Sequence, residues 1–249
     1  MTEPLLLSIA FFLIALLYSS VGHGGASGYL AILVLAGFSR PAIAPIVLAL
    51  NIFVTALGWF YFHRAGHFSF RLLLPFILTS IPAAFLGAQL HLSSRAFSML
   101  LFATLLAASI RMFFVFSPWR PVDFPPSSLR WKIGLPVGLL LGFAAGITGI
   151  GGGIFLSPVL LLLGWADPKR TAGTSAAFIV VNSAAGLLPS LYRGEGEWSL
   201  LGPLALSVFI GGMIGARSGA FRLPPRALQW LLGVILFLAA GKLLSELLF

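Results

Sequence analysis

The sequence predicts an all-α polytopic membrane protein made of two homologous, inverted repeats. Each repeat is a glycine-broken, re-entrant helix pair followed by three long transmembrane helices. Composition, block length and a recurring glycine motif predict it. Of 249 residues, 59% are hydrophobic and only 8% charged, with a mean hydropathy of +1.05. A soluble domain carries about 25% charge, so a water-soluble globule is excluded. The apolar residues form unbroken blocks rather than alternating, which argues against a transmembrane β-barrel.

The blocks run over 5–21, 26–37, 42–62, 72–90, 96–116, 133–148, 154–164, 171–191, 199–219 and 227–248. The six longest are each long enough to cross about 30 Å of hydrocarbon at about 1.5 Å per residue. The other four form two pairs, 5–21/26–37 and 133–148/154–164, each split by glycines: Gly22, Gly24 and Gly25 in one, Gly149, Gly151, Gly152 and Gly153 in the other. The first block lacks the basic start of a signal peptide and runs directly into a glycine motif, so it reads as the first arm of a pair rather than a cleaved leader. The proline-rich stretch Ser117–Arg130 reads as a linker, which divides the chain into a repeat over 1–117, a linker over 118–130 and a repeat over 131–249.

The duplication rests on order. LSSRAFSMLL at 92–101 matches LPPRALQWLL at 223–232, Gly24-Gly25 matches Gly151-Gly152, Gly37 matches Gly164 and Pro41 matches Pro168. Charge then chooses the topology. If each broken pair is one crossing, the Lys and Arg divide almost evenly between the two sides. If each pair dips in and returns, Arg40, Arg95, Arg193 and Lys242 lie on one side and the remaining cations on the other. That asymmetry is what the positive-inside rule expects. Three crossings per half also invert the repeats, as in many secondary transporters. Both termini then lie outside and the linker inside. The net charge of +9 is thus a loop property, not a nucleic-acid footprint.

Glycine lets the main chain take positive φ and lets other groups approach it. At each break a short helix begins, with N–H groups that lack internal partners and a positive dipole end. Such ends sunk in a membrane suit an anion. Gly24 and Gly25, and Gly151, Gly152 and Gly153, are therefore candidate substrate-binding residues. The competing reading is helix packing, since Gly142 and Gly146, and Gly149 and Gly153, have small-xxx-small spacing. His23 is the one ionisable residue predicted deep in the membrane, a candidate for substrate contact or proton handling. Asn51 and Thr55 share a helical face, as do Ser175 and Asn182, and Thr174 lies beside them; all can donate to an oxyanion.

All six acids fall in loops or near chain ends, so no buried carboxylate relay is expected. Candidate coupling ions are a proton, carried by His23 or the substrate, and Na+, held by backbone carbonyls. There is no cysteine, no Walker A motif and no metal-ligand or triad cluster; the reading is a non-enzyme without cofactors.

The segments GHGGASG (22–28), GIGGGIFLSP (149–158), GTSAAFIVVNSAAG (173–186) and GARSG (215–219) before LPPRAL resemble the TauE/SafE family, the sulfite exporter or toluene-sulfonate-uptake-permease group. The resemblance implies a small duplicated carrier of sulfur-containing anions such as sulfite, sulfoacetate, sulfolactate and aromatic sulfonates. It also points to Gly24, Gly25, Gly151, Gly152, Gly153, Asn51, Thr174, Ser175 and Asn182. The resulting expectation is a multi-pass cytoplasmic-membrane transporter of a sulfonate- or sulfite-type anion, working by alternating access. Its partners are the anion and the bilayer, with homo-oligomerisation open and nucleic acid excluded. A passive anion channel and a membrane subunit docking a partner are the alternatives.

Overall fold

The computed structural model describes residues 2–90 and 125–248, together with positions 99, 102, 106, 109, 110 and 113. The described residues fold into α1 (Thr2–Ser20), α2 (Ala26–Leu35), α3 (Arg40–Arg64), α4 (Phe70–Gly87), α5 (Ser127–Thr148), α6 (Gly153–Leu162), α7 (Pro168–Tyr192), α8 (Leu201–Arg217) and α9 (Pro225–Leu248). A single 3-10 turn precedes α8 and a π-helical turn, Ser218–Arg222, follows it. Among the described residues five stretches are long and apolar enough to cross a membrane: Ala42–Arg64, Phe70–Gly87, Ser127–Thr148, Pro168–Tyr192 and Trp198–Arg222. The first residues of α5, Ser127 to Arg130, belong to its helix rather than to a linker. Of the predicted block 96–116 only six positions are described, all helical; Arg95, Arg111 and most of the linker lie outside the described residues.

Matching signals end matching helices. Gly37 and Gly164 take φ of 90° and 68° after the two short helices α2 and α6. The following residue then reaches back, Phe38 N to the Leu33 carbonyl and Trp165 N to that of Leu160, each at 3.0 Å. This is the left-handed glycine cap that satisfies the last carbonyls. At the head of α7, Pro168 fits the first helical position and Asp167 Oδ1 accepts from Arg170 N at 2.9 Å.

Helix directions follow from the contacts. α2 folds back along α1: the Phe11 and Tyr29 rings stack at 4.7 Å, and Tyr18 OH lies 3.3 Å from Ser27 Oγ. α3 and α7, equal in length at 25 residues, cross in opposite directions, with Leu48 beside Gly186, Asn51 bonded to Ser183 and Gly58 beside Ala176. α4 and α5 run parallel. There Gly138, Gly142 and Gly146 sit on the backbones of Phe76, Ser80 and Ala84. α1 and α8 run parallel in the same manner, with Gly211, Gly215 and Gly219 on the backbones of Phe12, Leu16 and Ser20. Spacing of four residues keeps each stripe on one face, and hydrogen in place of a side chain lets the backbones touch. For Gly142 and Gly146 the packing reading is the right one.

These directions gather the helix ends into two sets. Arg130 donates to the Arg71 carbonyl at 3.0 Å, Lys169 to that of Ala220 at 3.2 Å, and Gly173 abuts the His67 carbonyl. One end of the bundle thus carries Arg64, Arg71, Arg130, Lys132, Lys169, Arg170, Arg217, Arg222 and Arg226. At the opposite end Glu197 N donates to the Ala42 carbonyl at 2.9 Å, and Arg193 pairs with Glu195 at 2.7 Å.

A methyl group on Gly142 would overlap the Ser80 backbone, whereas one on Gly202 meets nothing within 4 Å. Gly142→Ala is therefore expected to cost about 1–3 kcal/mol through overpacking. Gly202→Ala should be neutral or stabilising by up to about 1 kcal/mol. Thermal unfolding of the purified proteins in detergent compares the two.

At the cation-rich end, burial first and the Lys169 and Arg170 charges next hold the His67 imidazole below its usual range, opposed by Asp167. The folded chain then binds this proton less readily than the unfolded chain. Stability should fall as pH drops from about 6.5 toward the lowered folded value. A pH series of melting temperatures should be flatter for His67→Gln than for the parent.

Candidate functional site

The two glycine breaks meet in the interior, where α3 crosses α7. Gly25 and Gly152, with φ of 89° and 76°, are the residues from which α2 and α6 start. Both helices have 10 residues, about 15 Å, half a bilayer core. Their starts lie on one cavity of about 10 Å³, lined by Tyr18, His23, Gly24, Gly25, Ala26, Ser27, Ile150, Ile154 and Ile179. Two positive helix ends therefore face the same small space. A cavity of this size accommodates about one water. A tetrahedral oxyanion is larger, so its walls must part to admit one.

Side chains of the first half reach the backbone of the second. His23, 2% exposed, places Nε2 3.3 Å from the Gly153 carbonyl oxygen and 3.0 Å from Ser157 Oγ. A carbonyl only accepts, so the bond to Gly153 requires the proton on Nε2. Nδ1 is then a buried lone pair without a partner. Ser157 Oγ continues the chain to Ser175 Oγ at 2.8 Å. Beside this run, Asn51 donates Nδ2 to the Ile150 carbonyl at 3.3 Å and to Ser183 Oγ at 3.0 Å. Its Oδ1 is buried and unpartnered.

The tips fit these helices through matching positions. A methyl on Gly24 would strike Asn51 and Thr55; one on Gly151 would strike Ile179, Ser183 and Asn51. Thr55 and Ser183 hold the same place on α3 and α7, as do Asn51 and Ile179. The side-chain chemistry is thus one-sided: α7 has Ile179 where α3 has Asn51, and Ile150 stands before its glycine pair where His23 stands before the other. Gly153 packs on Ile179 and the Ser175 carbonyl, while Gly152 is turned toward Ala145 and Phe178.

The structure brings together His23, Gly24, Gly25, Asn51, Thr55, Gly151, Gly153 and Ser175. Thr55 hands its hydroxyl proton back to the Asn51 carbonyl at 2.6 Å and presents its methyl to Gly24. Thr174 donates to the Arg170 carbonyl at 2.8 Å and Asn182 to that of Phe178 at 2.8 Å, each within its own helix. Asn182 Oδ1 is buried and unpartnered. Ser157 and Ser183 were not anticipated. Ser157 sits one turn into α6, on the face that Gly153 opens; Ser183 adjoins Asn182 and recurs at the position of Thr55.

Fold and site together define a multi-pass helical membrane protein whose interior is built around two half-length helices. Comparison with known proteins places it further. The sulfite exporter TauE/SafE family matches residues 7–243, and the chain belongs to that family. A probable membrane transporter protein, y4hK of Sinorhizobium fredii, is 38% identical over 98% of this chain and 99% of its own. YjnA of Bacillus subtilis, also described as a probable membrane transporter, is 25% identical over 90% of this chain and 92% of its own. The sulfite exporter TauE/SafE family protein 1 of Arabidopsis thaliana is 35% identical over 34% of this chain and 19% of its own. No solved structure matches the chain.

Asn51→Ala leaves Ser183 Oγ and the Ile150 carbonyl without their donor in a buried place. It should destabilise by about 1–3 kcal/mol. Thr174→Ala removes a hydroxyl that bonds only within its own helix and should change stability far less. Melting temperatures of the two variants, measured side by side, check the difference.

Proposed function

We propose that this protein is a secondary transporter that moves a small sulfur-containing oxyanion, of the sulfonate or sulfite type, across the cytoplasmic membrane by alternating access. The observation that carries the reading is the meeting of the α2 and α6 starts on one cavity beside His23, Asn51 and Ser157. The positive dipole ends of two half-helices supply positive potential from opposite halves. Ser157, Ser175, Ser183 and the Asn51 amide supply donors for oxygens. The family's name supports the sulfur-oxyanion class, and the clustered sulfur-bound oxygens of a sulfonate or sulfite are hydrogen-bond acceptors that such donors suit.

The antiparallel course of α3 against α7, and the interchange of α1–α8 with α5–α4, support reading the halves as inverted repeats about an axis in the membrane plane. An axis along the membrane normal would leave equivalent helices parallel. The cation-rich end is then the cytoplasmic one. Movement of one half against the other parts His23 from Gly153 and Asn51 from Ile150, opening the cavity to one side at a time. His23 Nδ1 is the coupling-proton acceptor in this reading: once protonated, the imidazolium donates from Nδ1 toward the anion, and charge and proton cross together.

The test is uptake into proteoliposomes with sulfite, sulfoacetate, taurine and sulfate, using the parent, His23→Gln, Asn51→Leu and Ser157→Ala. The parent should take up at least one sulfur oxyanion saturably and show counterflow. Folded His23→Gln should lose uptake driven by a pH gradient about tenfold or more while retaining exchange. Parental transport by all three variants, each with a normal elution profile, would reject the site. Flux that rises linearly with concentration would point to a channel.

A further inference from the structure

Outside this site, the cation-rich end holds an open cavity of about 460 Å³ lined by Phe60, Tyr61, Arg64, Arg217, Phe221 and Arg222. Arg64 lies in the last turn of α3, Arg217 in the last turn of α8, and Arg222 closes the π-helical turn that follows. That turn is held by Leu223 N on the Ser218 carbonyl at 2.8 Å and by Lys169 Nζ on the Ala220 carbonyl at 3.2 Å. Its extra residue carries Phe221 and Arg222 round to the C-terminal end of α3, where the Phe221 ring meets that of Tyr61 edge-on at 6.5 Å.

The three guanidiniums are exposed and converge on one hollow from two helices. Among the described residues the one ion pair, Arg193 with Glu195, lies at the other end of the bundle. Asp167, the acid described at this end, is engaged by Arg170 N. Arg64 rests over the Phe60 ring at 5.6 Å, which orients it without neutralising it. A lone Arg at a helix end is explained by the dipole. Three around one cavity, floored by rings, form a charged mouth with an apolar wall. The corresponding place in the other half holds Leu188 for Phe60, Tyr192 for Arg64 and Gln89 for Arg217, so the cations belong to one end only. Phe60 and Phe221 are about half exposed, at 49% and 52%, as expected of rings at the level where head group meets acyl chain.

We propose that this cavity binds the phosphate of an anionic phospholipid, with Arg64, Arg217 and Arg222 on the phosphate oxygens and an acyl chain along Phe60 and Phe221. Guanidinium forks match phosphate oxygens bidentately, and clustered basic residues at a membrane face recognise anionic head groups. The lipid would pin the end of α3, which encloses the glycine tips together with α7, to the end of α8.

The experiment is native mass spectrometry of the detergent-purified full chain with added phosphatidylglycerol, phosphatidylcholine or inorganic phosphate. The parent should retain phosphatidylglycerol over phosphatidylcholine. In the triple variant R64Q/R217Q/R222Q that retention should fall about tenfold or more. R64K/R217K/R222K, which keeps the charge but loses the bidentate forks, should fall between the parent and the glutamine variant, and its loss relative to the parent serves as the test if the glutamine variant fails to fold. Equal retention of the two lipids by the parent, or parental retention by a folded glutamine variant, would overturn the assignment. So would inorganic phosphate displacing the lipid at equal concentration, since the site would then be a free-oxyanion site.

Discussion

Everything in this fold depends on one constraint: inside hydrocarbon, each backbone N–H and C=O must find its partner within the protein. A helix meets that constraint residue by residue. A chain that stops being helical in mid-bilayer exposes several polar groups at once and must hide them. Here two breaks occur, and both are enclosed by α3 and α7. Gly24 lies against Asn51, and Gly151 against Asn51 and Ser183, with no room for a methyl at either. Gly25 and Gly152 start the short helices in the left-handed region, where a side chain would add strain.

Small residues carry the same logic outward. The stripes on α5 and α8 bring those helices onto the backbones of α4 and α1. Close approach supplies dispersion contacts where lipid offers no hydrophobic driving force between helices. It also makes these pairs stiff. The α3–α7 crossing is also packed, with Gly58 on Ala176 and Leu48 beside Gly186, and it adds hydrogen bonds between side chains and tips.

Those bonds are not shared evenly. The first half contributes His23 and Asn51; the second contributes the Gly153 and Ile150 carbonyls and the hydroxyls of Ser157, Ser175 and Ser183. The two halves differ at the centre: Asn51 holds on α3 the place that Ile179 holds on α7, and His23 precedes its glycine pair as Ile150 precedes Gly151 and Gly152. An even-handed frame surrounds a lopsided set of polar groups. His23 and Asn51 tie the two halves together across the middle of the molecule, while Ser175 bonds within the second half, to Ser157.

The apolar blocks foretold the helices because a span of lipid demands a minimum run of apolar residues, and Gly37, Gly164 and Pro168 marked their ends because caps are local. His23, Asn51 and the tip glycines were legible for a similar reason: a polar or positive-φ residue in an apolar run costs free energy that something must offset. Ser157 and Ser183 were not, since a serine in a helix costs little and its partner lies far along the chain. Thr174 and Asn182 looked equivalent to Ser175 by spacing, yet they turn back on their own carbonyls because periodicity assigns a face, not a neighbour. The sequence alone determined that the chain is helical, crosses a membrane and breaks twice at glycine, since those properties reside in local composition. Only the tertiary structure decided that both breaks share one cavity and that Asn51 reaches Ser183 rather than Asn182, because contacts between distant segments depend on how helices cross, and crossing is set by packing of whole faces.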